Sequence, residues 1–194
     1  MVFFLLALGM ALAVPANAAS PRLRLDSYWP KTPTTVYFTC QFTGSERAAC
    51  QYAMGAWNNV LAFDGDRMVR LEMTTSPSEP YSEITRRYDK DWGYAGYCVH
   101  HPETGPLTWV EIWINDDLPY SVGAKPGTRD LQSIVVHELG HALGVAHCHE
   151  LGTSCFLDPF TCSSNVMNPS VPYTQNRRVL SDYDKGSYRA IYNY

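Results

Sequence analysis

Apolar and polar positions along the chain change period several times, and each change marks an element. In residues 108–115, Val110, Ile112 and Ile114 alternate with Trp109, Glu111 and Trp113. A strand with apolar bulk on both faces belongs inside a sheet, so this segment is expected to be central. Runs rich in β-branched and aromatic residues predict further strands at 34–42, 67–74, 83–88 and 94–99. From Ser45 the period becomes helical: Ala49, Tyr52, Ala53, Ala56, Trp57, Val60 and Leu61 share one face of a helix ending near Leu61. A second helix starts at Thr128 or Asp130 and runs to about Leu143, where Gly144 stops it. A third covers Ser181 or Asp182 to about Tyr192, while residues 119–127 and 145–172 carry turn residues and read as irregular. Strand, helix, several strands, helix, irregular segment, helix is the order of an α+β domain.

The apolar run from Phe3 to Val14 is too short and too early for a membrane span and ends in Ala16-Asn17-Ala18. It reads as a signal peptide cleaved after Ala18. The expected organisation is therefore a signal peptide at 1–18, a short leader at 19–33 and one domain at 34–194. The mature protein is expected to be secreted, extracellular, off the membrane and monomeric. A formal charge of −4 and scattered basic pairs, Arg86-Arg87 and Arg177-Arg178, exclude a nucleic-acid partner. Six cysteines in an exported chain argue for disulfides.

The chemistry concentrates in His137-Glu138-Leu139-Gly140-His141-Ala142-Leu143-Gly144-Val145-Ala146-His147. Positions i and i+4 lie about 6 Å apart on one helix face, so His137 and His141 can present nitrogens to one zinc ion. Gly144 can take positive φ, letting the chain leave the helix and bring His147 under the same metal. Three histidines with an open position make a catalytic set, whereas structural zinc is closed by four protein ligands. Glu138, about 100° around the helix from His137, is placed to act as general base on a zinc-activated water. The plainer reading, two core histidines and a solvated glutamate, suits a lone His-Glu-x-x-His better than this extended string.

That string resembles the metzincin clan of zinc endopeptidases, and its leader Asp130-Leu131-Gln132-Ser133 resembles the matrixin-like branch. Val166-Met167-Asn168-Pro169 resembles the family's Met-turn, which implies that Met167 floors the zinc ligands without binding the metal. Pro169 and Tyr173 resemble the segment that walls the substrate pocket, and residues 181–192 resemble the C-terminal helix. The resemblance implies a zincin domain with a twisted, mostly parallel five-stranded sheet, an active-site helix and a C-terminal helix. It implies protein or peptide substrates paired with the edge strand at 94–99, near Trp92, Tyr94 and Tyr97. With that fold and local spacing, the favoured pairing among 15 is Cys40–Cys50, Cys98–Cys148 and Cys155–Cys162.

The chain also departs from the family. Nineteen residues containing Cys148, Cys155 and Cys162 separate His147 from Met167, which is an insertion. Small snapalysin-like enzymes use Asp as third ligand where this chain has His147. Only His100 and His101 stand where a second, structural zinc would need several ligands, so one zinc is expected. Glu111, Asp116 and Asp117 could help hold calcium, although solvated acids explain them more simply. No cysteine precedes the first strand to block the metal; Asp26 could do so through its carboxylate. The rival function is a secreted, disulfide-stabilised binding protein with a non-catalytic zinc site.

Overall fold

The computed structural model describes residues 27–30, 34–61, 69–76, 80–148, 164–169 and 175–192. Along them run β1 (Ser27–Tyr28), β2 (Thr34–Cys40), α1 (Gly44–Leu61), β3 (Val69–Met73), β4 (Ser82–Arg87), β5 (Gly96–His101), β6 (Gly105–Pro106), β7 (Trp109–Asn115), β8 (Tyr120–Ser121), β9 (Arg129–Asp130), α2 (Leu131–Ala142) and α3 (Asp182–Tyr192). The five longer strands form one sheet in the order β3-β2-β4-β7-β5. All neighbours are parallel except β5, which runs antiparallel to β7 at the edge. Parallel neighbours need a crossover, and α1 supplies it between β2 and β3.

The helical periodicity of α1 buries Ala49, Ala53, Met54, Trp57 and Val60 against Phe38, Leu71 and Ile84 of the sheet. Helix α2 packs beside α1 on the same face, and Trp57 Nε1 donates to Val136 O at 2.8 Å between them. Strand β7 is interior, but it stands next to the edge and β4 occupies the middle place. Its two apolar faces have different partners. Val110, Ile112 and Ile114 enter the core, while Trp113 stacks with Trp92, Tyr97 and the Arg87 guanidinium on the outer face. Bulk on both faces reflected an aromatic cluster on one side and not a second layer of helices.

Within the segment expected as leader, β1 pairs with β6, and Ser27 and Trp29 are buried. Two expectations need correction. Cys40 and Cys50 are free thiols that face each other, with the hydrogen bond from Cys50 drawing the Cys40 thiol down to about 7. Cys98 is also a free thiol, so the disulfide that Cys148 makes is not to Cys98. Cys98 lies on β5 close enough to Glu138 to feel its charge, whereas Cys148 N donates to Met167 O at 2.9 Å. Cys155, Cys162, Asp26 and Tyr173 lie outside the described residues. Among the described residues no helix is long and apolar enough to cross a membrane.

Candidate active site

Helix α2 begins with a buried anchor. Asp130 caps it by accepting from Ser133 N at 3.0 Å and Ser133 Oγ at 2.7 Å, and takes Arg178 in a two-point pair of 2.7 and 2.5 Å. Burial by itself would raise the Asp130 carboxyl; the bonds from Arg178 and Ser133 outweigh it and hold it below the ordinary carboxylate range. The helix ends at Leu143, after which Gly144 adopts φ +80°. Gly144 N donates to His141 O at 2.7 Å and Val145 N to Gly140 O at 2.9 Å, the paired bonds of a Schellman ending. A side chain at 144 would be strained by φ and would also meet Ser27 O at 2.8 Å. The reversal brings His147 back beneath the helix.

The ligand nitrogens of His137, His141 and His147 lie within 4.8 Å of one another, and among the described residues they are the one such group of histidines, cysteines or acids. Nδ1 of His137 lies 2.8 Å from Val166 O, and Nδ1 of His141 lies 2.8 Å from Val145 O. A carbonyl only accepts, so Nδ1 carries the proton in both rings and Nε2 presents its lone pair inward. His147 Nε2 stands 3.2 Å from Nε2 of His137 and 3.0 Å from Nε2 of His141. Nitrogen lone pairs converging at this range repel unless a cation lies among them, and the donor set fits zinc. Burial, then the neighbouring His137 and His147, hold the His141 imidazole well below its usual range, which keeps it in the neutral, ligating form.

Glu138 is buried on the next flank of the helix and faces the same cleft of about 740 Å³. Burial pushes its carboxyl up to about 8. Space for it is made by Gly96 on β5, where a Cβ would come within 2.7 Å of Glu138 Oε1 and 2.8 Å of Ile134 Cγ2. Tyr94, Tyr97, Cys98, Arg129 and Pro169 also line the cleft.

Against α2, Met167 is fully buried, and its sulfur lies 2.2 Å from where a Cβ on Gly140 would stand. Asp184 holds this turn to α3 by accepting from Val166 N at 3.1 Å and Met167 N at 3.2 Å. The acids proposed for calcium are not brought together: Glu111 faces His101 Nε2 at 3.3 Å, and Asp116 accepts from Tyr120 Oη at 2.9 Å. His100 and His101 point to opposite faces of β5, the first to His141 O and the second onto Trp109.

Sequence reasoning singled out the three histidines, Glu138, Met167 and Pro169, and missed Gly96, Asp184, Trp29 and the role of His100. The parity of β5 carried one usable signal: Gly96, Cys98 and His100 share the face turned to α2. Asp184 had no local signal beyond an acid in a first helical turn.

The matrixin family model matches residues 28–193, which takes in the sheet, both core helices, the histidines and α3. Among solved structures, one described as the structure of myroilysin is similar over 86% of this chain and 82% of its own, at 16% identity and a TM-score of 0.48. The assignment rests on the family match, which spans nearly the whole described domain: the chain belongs to the matrixin family of zinc metalloendopeptidases.

Proposed function

We propose that the protein is a secreted, monomeric endopeptidase in which His137, His141 and His147 hold one zinc ion and Glu138 is the general base. The carrying observation is the convergence of three imidazole nitrogens within 4.8 Å beside a buried carboxylate. Bound by these three neutral imidazoles, a zinc ion would supply the Lewis acidity that polarises a peptide carbonyl and acidifies water. The chain's own groups do the rest. Val166 O and Val145 O fix the tautomers of His137 and His141, so that both rings aim the correct nitrogen. Glu138, buried beside the three histidines and facing the cleft, takes a proton from the attacking water and returns it to the leaving amine. Met167 keeps the floor of the site apolar, and Pro169 borders the cleft that receives the substrate.

Strand β5 favours an extended peptide as substrate. Its antiparallel pairing with β7 leaves the other side at the sheet edge, where a peptide can add as a further strand. Tyr94 and Tyr97 offer apolar surface beside it.

The test is internal cleavage of terminally blocked peptides by the parent and by Glu138→Ala, with zinc assayed in both. The expected result is a loss of about 10²–10⁴ in kcat/KM for Glu138→Ala with zinc retained. Zinc in both and cleavage by neither would assign the chain to a binding role. The N-terminal residue of the exported protein, read by mass spectrometry, tests the processing site.

A further inference from the structure

The carbonyl end of α2 is bound by side chains from three distant parts of the chain. Trp29 Nε1 donates to Ala142 O at 2.7 Å, Tyr192 Oη to Leu143 O at 3.0 Å, and His100 Nε2 to His141 O at 2.9 Å. Only the last of these carbonyls belongs to a residue whose ring faces the metal position. His141 O already accepts from Gly144 N, so the helix is terminated without His100. The bond from His100 fills the second lone pair of that oxygen. With its own Nδ1 held by Val145 O, residue 141 is gripped at both its main chain and its ring.

His100 is itself held in place. A carbonyl acceptor requires a proton on Nε2, and Ser27 Oγ lies 2.9 Å from Nδ1 at the other end of the ring. Ser27 is buried, its hydroxyl also lies 2.8 Å from Glu103 O, and its main chain pairs with Gly105. The ring therefore has one orientation, in which Nε2 reaches His141 O while Nδ1 stands against Ser27 Oγ, whose single proton is shared between Nδ1 and Glu103 O. It lies on the inner face of β5, two residues beyond Cys98 and four beyond Gly96, and meets α2 at His141, three residues after Glu138.

We propose that His100 is a positioning residue for the metal centre: its bond to the His141 carbonyl sets the direction from which the His141 imidazole meets the ion, and Ser27 of the N-terminal strand locks His100 in that role. The proposal rests on the reading of His141 as a zinc ligand. Mutating groups that orient metal ligands typically costs about 10–100-fold in metal affinity, and that is the scale expected here.

The experiment measures zinc affinity by chelator competition in the parent, His100→Leu, His100→Gln and Ser27→Ala, with circular dichroism of each. The visible spectrum of the cobalt-substituted proteins reports ligand geometry. His100→Leu is expected to lose about 10–100-fold in affinity and to change the cobalt bands. His100→Gln, whose amide can donate to the same carbonyl, is expected to recover most of both. Ser27→Ala shifts affinity in the same direction by a smaller factor. A folded His100→Leu protein with the parent's zinc affinity and cobalt spectrum overturns the proposal, as does a His100→Gln protein no better than His100→Leu. If His100→Leu does not fold, Ser27→Ala decides, and unchanged affinity there overturns it. A parent that takes up no stoichiometric zinc refutes the ligand reading itself, a separate outcome from a parent and variant that bind equally.

Discussion

The two ends of α2 are secured by different physics. Its start rests on charge: buried Asp130 pairs with Arg178 at two points and caps Ser133. Its end rests on neutral donors, with the indole of Trp29, the phenol of Tyr192 and the imidazole of His100 bound to successive carbonyls. A lysine or arginine at a helix C-terminus would ordinarily be favoured by the helix dipole. Here it would stand within one turn of a dication. Neutral donors satisfy the same carbonyls without opposing the metal, while the charged lock is kept at the far end, about three turns from His141.

Removing the charged lock should have the largest effect. Asp130→Ala removes the cap of α2 and the two-point partner of Arg178, which keeps contact with solvent, and is expected to destabilise the fold by about 2–3 kcal/mol in urea unfolding. A loss as small as that of a single neutral cap would erase the distinction between the ends. Midway along the helix, Gly96→Ala puts a Cβ within 2.7 Å of Glu138 Oε1. Displacing a catalytic group by about 1 Å can cost roughly 10²-fold, so kcat should fall by about 10–100-fold while zinc content stays at the parent level. Equal loss of zinc would mean that β5 supports the whole helix and not the carboxylate in particular.

At the neutral end, Trp29→Phe keeps the ring and deletes one donor, leaving Ala142 O without its partner. A loss of about 1 kcal/mol is expected. The smallest effect, and the sharpest for the comparison, is on pH. Because the folded-state pKa of Asp130 is lowered, its contribution is present above the unfolded-state value of about 3.9 and is lost as pH falls through the folded value. Stability measured from pH 5 downward should therefore fall less steeply in Arg178→Met than in the parent, whereas Trp29→Phe should run parallel to the parent. A Trp29→Phe profile that diverges from the parent in acid would show that the two ends are coupled.

Much of this arrangement was readable in one dimension because it depends on short-range spacing. The i, i+4 interval of His137 and His141, the glycine at 144 and the alternation of β7 each act within about one or two turns of chain. The edge place of β5 and the selection of Met167, which is buried, came through resemblance of short motifs. The disulfide pairing was misread because cysteine proximity depends on which way each strand and turn faces, and Cys98 faces Glu138. The packing of residues 27–29 was not legible because two paired residues and one tryptophan carry no periodicity.

Local spacing decides which residues can share a helix face, where a helix can stop and which side chains offer metal-ligating nitrogens, since these follow from backbone geometry within a few residues. Tertiary structure alone decides that a strand about forty residues upstream clears room for Glu138 and binds the His141 carbonyl, and that Asp184 holds the turn beneath His137. Those contacts join segments whose separation along the chain bears no relation to their distance in space. They exist only once the sheet and α2 have closed upon each other.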